Sequence, residues 1–148
     1  MHRNILALAA FAPGCVVHSY DTYEEPPQTV VVVEQPINGA PVVFDAGAFV
    51  FYDPFYQDDI WVFDAWVDDP EGPYDVIGVW ADVYDEYAGG VLVESLELYP
   101  TDDAFFWTSD WLGRTTYLDP FWPGYTVDLV AYDTWECFGW TTIWIETY

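Results

Sequence analysis

The chain has 148 residues, among them nine Trp, twelve Tyr and ten Phe, and sets 26 acidic side chains against two Arg and no Lys. A formal charge of -24 repels phosphate backbones and anionic headgroups and offers no basic patch for counterion release, which excludes nucleic-acid binding. Chains this acidic stay disordered when they are poor in apolar residues; at 53% apolar and 21% aromatic, this one has enough to bury a core and should fold.

The N-terminus reads as an export signal. Residues 1–14 combine a short basic start with Arg3, an apolar run from Ile5 to Ala12, and small residues at the end. The run is too short to span a bilayer, which takes about 20 apolar residues. Two processing routes are open. Ala10-Phe11-Ala12 is a small-x-small cleavage site, although it would leave Pro13 first in the mature chain. Ala12-Pro13-Gly14-Cys15 resembles the lipobox of bacterial lipoproteins, which implies acylation of Cys15 and cleavage before it. An acyl chain contributes about 0.8 kcal/mol per buried CH₂, an anchor that so anionic a chain cannot obtain from charge. Val16 in place of Asp after the Cys lacks the feature that marks inner-membrane retention, so the expected address is the cell envelope, at the outer membrane or its periplasmic face.

Residues 15–40 read as a tether. Pro26-Pro27 and Pro36 favour extended polyproline geometry, and His18 is the only histidine after Cys15. The Val30 to Val33 run has a second reading, as an edge strand added to the domain behind it.

Residues 41–148 read as one all-β domain. Aromatic and β-branched runs alternate with acidic Gly/Pro/Asp turns, giving seven predicted strands at 42–52, 60–68, 74–84, 91–99, 104–110, 125–133 and 140–147. This pattern predicts an Ig-like antiparallel β-sandwich. Parity sets the faces. Trp61, Phe63, Ala65 and Val67 point inward, as do Ile77, Val79, Ala81 and Val83, and Tyr125, Val127, Leu129 and Ala131; Asp64, Asp82, Asp128 and Glu146 point outward. A phase change between Val91/Val93 and Leu96/Leu98 predicts a bulge near Ser95. The segment Pro123 to Asp133 followed by Thr141 to Glu146, together with the turn Asp68-Asp69-Pro70-Glu71-Gly72, resembles PKD-type and related Ig-like domains of bacterial extracellular proteins. The resemblance implies a sandwich superfold and by itself no activity.

Catalytic sets are lacking. A hydrolytic triad needs a His or Lys base, and residues 41–148 contain neither. The pairs Asp58-Asp59, Asp68-Asp69, Asp85-Glu86 and Asp102-Asp103 are adjacent in loops, where solvation and turn formation account for them. The expectation is a non-catalytic protein without a cofactor. Two binding chemistries remain open. Asp68, Asp69, Glu71 and Asp75 could present oxygen ligands to Ca²⁺ from one loop, although their spacing matches no EF-hand. If the third, sixth and seventh strands are neighbours, Trp80, Asp82, Tyr84, Asp128, Tyr132 and Trp144 share one outward face, a platform for a glycan or protein partner or else ordinary cross-strand pairing. Cys137 is expected to be a buried thiol if Cys15 is acylated; without acylation, a Cys15 to Cys137 disulfide would pin the tether to the domain.

Overall fold

The computed structural model describes residues 38–147. Its strands are β1 (Val42–Asp53), β2 (Asp58–Asp68), β3 (Val76–Asp85), β4 (Val91–Pro100), β5 (Phe106–Leu112), β6 (Tyr125–Asp133), β7 (Phe138–Trp144) and the short β8 (Glu146–Thr147). The only helical pieces among the described residues are two 3₁₀ turns, Pro73–Asp75 and Gly113–Thr115, and no helix is long and apolar enough to cross a membrane. The seven predicted strands are all present. The last one divides at Ile145, after which β8 runs parallel to β1, pairing Glu146 with Phe49.

The strands form one continuous hydrogen-bonded order, β7-β6-β3-β4-β5-β2-β1-β8. β4 is the pivot. Most of its length pairs with β3, while its end, Tyr99 and Pro100, pairs with β5. This places β1, β2 and β5 in one layer and β3, β6 and β7 in the other, the strand order of an Ig-type sandwich. The two layers enclose the core, in which Trp61, Phe63, Val67, Val79, Leu98, Val127 and Leu129 are essentially inaccessible. A further Ig-type feature ties the β5–β6 connection to the start of β6: the Tyr125 hydroxyl accepts the Asp119 backbone N–H at 3.2 Å, and the Tyr125 ring meets Trp61 edge-on.

Strand parity sets the register, as predicted, because a one-residue slip would drive carboxylates into this core. The exceptions coincide with bulges. In β3, Val76 faces Asp133 and Gly78 faces Tyr132, so Ile77 is the extra residue and lies 60% exposed instead of inside. In β4 the extra residue is Val93, skipped between the pairs Val83/Glu94 and Tyr84/Leu92, two positions before the predicted site at Ser95. A third bulge, at Phe44 in β1, was not signalled by the sequence pattern; it turns that ring outward against Trp66, which in turn contacts Phe106.

Candidate functional site

Pairing of β3 with β6 and of β6 with β7 puts the predicted face together in rows. Trp80 lies beside Val130 and Trp140, Asp82 beside Asp128 and Thr142, Tyr84 beside Thr126 and Trp144, and Tyr132 beside Phe138. All six predicted residues, Trp80, Asp82, Tyr84, Asp128, Tyr132 and Trp144, thus share one side of one sheet. Phe138 and Trp140 belong with them and were missed. Starting the last strand at 140 left Phe138 in a turn, although the shared parity of Trp140 with Trp144 was available as a signal.

The rings form a chain. Trp80 meets Tyr132 edge-on at 5.5 Å, Tyr132 lies 5.9 Å from Phe138, and Phe138 lies 5.9 Å from Trp140. Such contacts fix ring positions by about 0.5–1.5 kcal/mol each beyond simple area burial. The face is open: Phe138, Trp140 and Trp144 are 51%, 59% and 61% exposed. Gly78 shapes one end, because a Cβ there would lie 2.4 Å from the Trp80 indole, so the ring can fold back only over glycine. Ile77, Trp80, Asp82, Ser95, Tyr132 and Phe138 help line a groove of about 660 Å³.

Two carboxylates sit in the middle of this apolar face. Asp82 and Asp128 are directly opposed, and each accepts a cross-strand hydroxyl, Asp82 from Ser95 at 2.5 Å and Asp128 from Thr142 at 2.6 Å. Burial, reinforced by these two carboxylates, raises the Tyr84 hydroxyl above its ordinary value of 10.0. Tyr84 therefore stays a phenol. The row offers acceptors and a donor between flat rings.

The second predicted cluster lies at the end of the sandwich where β2 passes to β3 and β6 to β7. Asp69, Glu71 and Asp75 converge so that one carboxylate oxygen from each lies within 4.8 Å of the others. Asp68 does not join them; it is exposed and accepts the Asp69 N–H. Asp69 is 4% exposed, with one oxygen accepting the Glu71 N–H at 2.9 Å and the other accepting no N–H or O–H group. Burial pushes its carboxyl up to about 6, the Glu71 N–H opposes the rise, and a side-chain hydrogen bond with Glu71 and the charges of Glu71 and Asp75 add to it.

This shift carries a sign. In protein freed of divalent ions, folded Asp69 holds a proton that the unfolded chain has already released, so its favourable contribution is present below about 4 and is lost as pH rises through about 6. Asp69→Asn keeps the acceptor for Glu71 and removes the titration. Melting curves in chelator should show the variant gaining on the wild type between about pH 4 and 6, with the gap constant above that. A gap independent of pH across this range would contradict the assignment.

Beneath the cluster lies a group that the sequence did not reveal. Asp133 is fully buried, and its two oxygens accept the N–H groups of Trp135 and Cys137, both at 2.8 Å, and the Asn38 amide. Asn38 is followed by Gly39, whose N–H points to Glu71 at 3.1 Å, while the Thr134 hydroxyl donates to Asp75. The entry to the domain, the β2–β3 loop and the β6–β7 turn are thereby linked. Cys137 is buried, as expected, but it is disulfide-bonded, which corrects the expectation of a buried thiol. The expectations for the signal, Cys15, the tether, His18 and the Val30 to Val33 segment lie outside the described residues.

Elsewhere the acidic loops show a common local chemistry. Asp53, Asp85, Asp103, Asp119 and Asp133 each accept the N–H of an aromatic residue two positions on: Phe55, Tyr87, Phe105, Phe121 and Trp135. These are side-chain-closed turns. They use carboxylates to shape loops, with no paired acid and base. Comparison of the chain with protein-family models, with curated proteins and with solved structures finds no match.

Proposed function

We propose that the protein is an exported, non-catalytic adhesive module of the bacterial cell envelope that binds neutral carbohydrate through the β3–β6–β7 face. The observation that carries this reading is the open ring chain with Asp82 and Asp128 at its centre. Sugar rings present C–H faces that stack on flat aromatics and hydroxyls that donate to carboxylates, and shallow sites combine both contacts. The centre of a protein–protein interface is instead depleted of charge, so opposed carboxylates in the middle of the patch favour the sugar over a protein partner. The overall charge of -24 disfavours anionic glycans. The lack of His and Lys in residues 41–148 supports a non-catalytic role.

Affinity for a neutral oligosaccharide should fall at least tenfold, about 1.4 kcal/mol, in Trp80→Ala and in Trp140→Ala. Phe44→Ala, exposed against Trp66 on the opposite layer, should bind as the wild type does. Equal losses in all three would overturn the assignment of the face.

Export rests on the apolar run and the small residues before Cys15. A thioether at Cys15 and a disulfide from Cys15 to Cys137 are exclusive uses of one sulfur, and Cys137 is disulfide-bonded in a chain with two cysteines, which favours the unlipidated route. The mass of the mature protein tests this: cleavage after Ala12 with an intact bridge supports an exported module without a lipid, and an acylated N-terminal Cys15 overturns it.

A further inference from the structure

We propose that the β2–β3 end of the sandwich holds a Ca²⁺ ion between Asp69, Glu71 and Asp75. The proposal stands apart from the carbohydrate face. Acidic clusters are common on a surface of this composition, and most are solvated. This one differs in burial. Asp69 is 4% exposed, one of its oxygens is inaccessible and accepts no N–H or O–H group, and the second oxygen of Asp75 is likewise inaccessible and accepts none. One carboxylate oxygen from each of Asp69, Glu71 and Asp75 lies within 4.8 Å of the others. An unpaired carboxylate oxygen away from water is costly, and two beside a third carboxylate repel as well. A cation removes both penalties at once.

The ligand chemistry favours Ca²⁺. Three carboxylate oxygens within 4.8 Å of one another can close on one ion, and Ca²⁺ accepts irregular shells of about six to eight oxygens, whereas Mg²⁺ demands near-ideal octahedral geometry and gives up its water reluctantly. All three donors are carboxylates, with no nitrogen or thiolate to favour zinc or copper. Asp133 is not a ligand, because its oxygens are already engaged by two backbone N–H groups and Asn38. Glu71 is exposed and gives the ion an approach from solvent, leaving room for water to complete the shell.

The ion would join three segments. Asp69 and Glu71 lie in the β2–β3 loop, the Glu71 carboxylate accepts the Gly39 N–H at the entry to the domain, and Asp75 holds Thr134 of the β6–β7 turn. Ca²⁺ would stiffen the point at which Asn38 and Gly39 lead into the sandwich.

Calorimetric titration of the full mature chain with CaCl₂, after chelator treatment, tests the site. The expected result is one equivalent of Ca²⁺ bound with a dissociation constant of about 10⁻⁴ M, in the range of extracellular modules, and a raised melting temperature. Glu71→Gln and Asp75→Asn should each weaken binding at least tenfold. Asp102→Asn, an exposed acid outside the cluster, should leave it unchanged. Glu71 is exposed, so its variant keeps the fold and the test stays decisive. Absence of saturable binding by about 10 mM Ca²⁺, or equal weakening by Glu71→Gln and Asp102→Asn, would overturn the proposal.

Discussion

Replacing Asp133 with Ala should destabilise the domain by about 3–5 kcal/mol, lowering its melting temperature by about 12–20 °C. The residue is fully buried and satisfies the N–H groups of Trp135 and Cys137 and the Asn38 amide. Alanine leaves all three donors buried with nothing to accept them, at about 1–3 kcal/mol for each that water cannot reach. The damage should be local as well as global. Asp133 ends β6, shapes the turn into β7 and holds Asn38 before β1, so proteolysis at the 134–137 turn should quicken along with the fall in melting temperature. Asp133→Asn preserves an acceptor and should cost less than half as much. Equal losses for Ala and Asn would show that the carboxylate's hydrogen bonds are not what holds this end together.

A second large effect is expected from the smallest change. A Cβ on Gly139 would lie 1.9 Å from the backbone oxygen of Pro41 and 3.0 Å from its carbonyl carbon, so neither a rotamer change nor a side-chain shift relieves the contact. The start of β7 must move from the start of β1, opening the seam between the layers near Asn38 and Cys137. Overpacking against rigid backbone costs about 1–3 kcal/mol and at times more, and Gly139→Ala should lie at or above the top of that range. Gly89→Ala is the comparison. Nothing lies within 4 Å of its Cβ, but its φ of +86° strains any L side chain, so only about 1 kcal/mol should be lost. Denaturant unfolding should therefore rank Gly139→Ala well below Gly89→Ala in stability; the reverse order would contradict the close approach of β1 and β7.

How much of this was legible depends on how local the cause is. Alternation in β2 and β6 fixed both register and inward face, because a slip would bury Asp64 or Asp128. It failed at Ile77, where a bulge before Gly78 turns an apolar residue outward, and two-residue periodicity cannot register an extra residue of the same chemical type. The aromatic face was legible because β3, β6 and β7 are neighbours in any Ig-type order, so parity alone assembled Trp80, Tyr132 and Trp144. Phe138 was lost to a boundary set two residues late, and Trp140, inside the predicted strand and in phase with Trp144, was overlooked. The loop cluster was visible as Asp69, Glu71 and Asp75, but the exclusion of Asp68 depends on which way one carboxylate turns. Asp133 with Asn38 could not be read at all. The partners are 95 residues apart in sequence, and a strand-ending Asp looks like any solvated turn acid until the chain folds around it. The state of Cys137 was equally hidden, since spacing alone does not decide between a packed thiol and a bridge.

The loops and the β3–β6–β7 face differ in chemistry. The acidity in the loops is used to close turns and to gather oxygens around Asp69, while on the β3–β6–β7 face only two carboxylates interrupt a run of rings. Binding through that face is the central claim, and retention of the mature protein by immobilised neutral glycans tests it most directly. The prediction is that the wild type is retained by at least one neutral oligosaccharide and that Gly78→Ala, which displaces the Trp80 ring while leaving every face residue unsubstituted, loses at least tenfold in affinity to it. No retention by any neutral glycan, or retention unchanged by Gly78→Ala and Trp80→Ala alike, would contradict it.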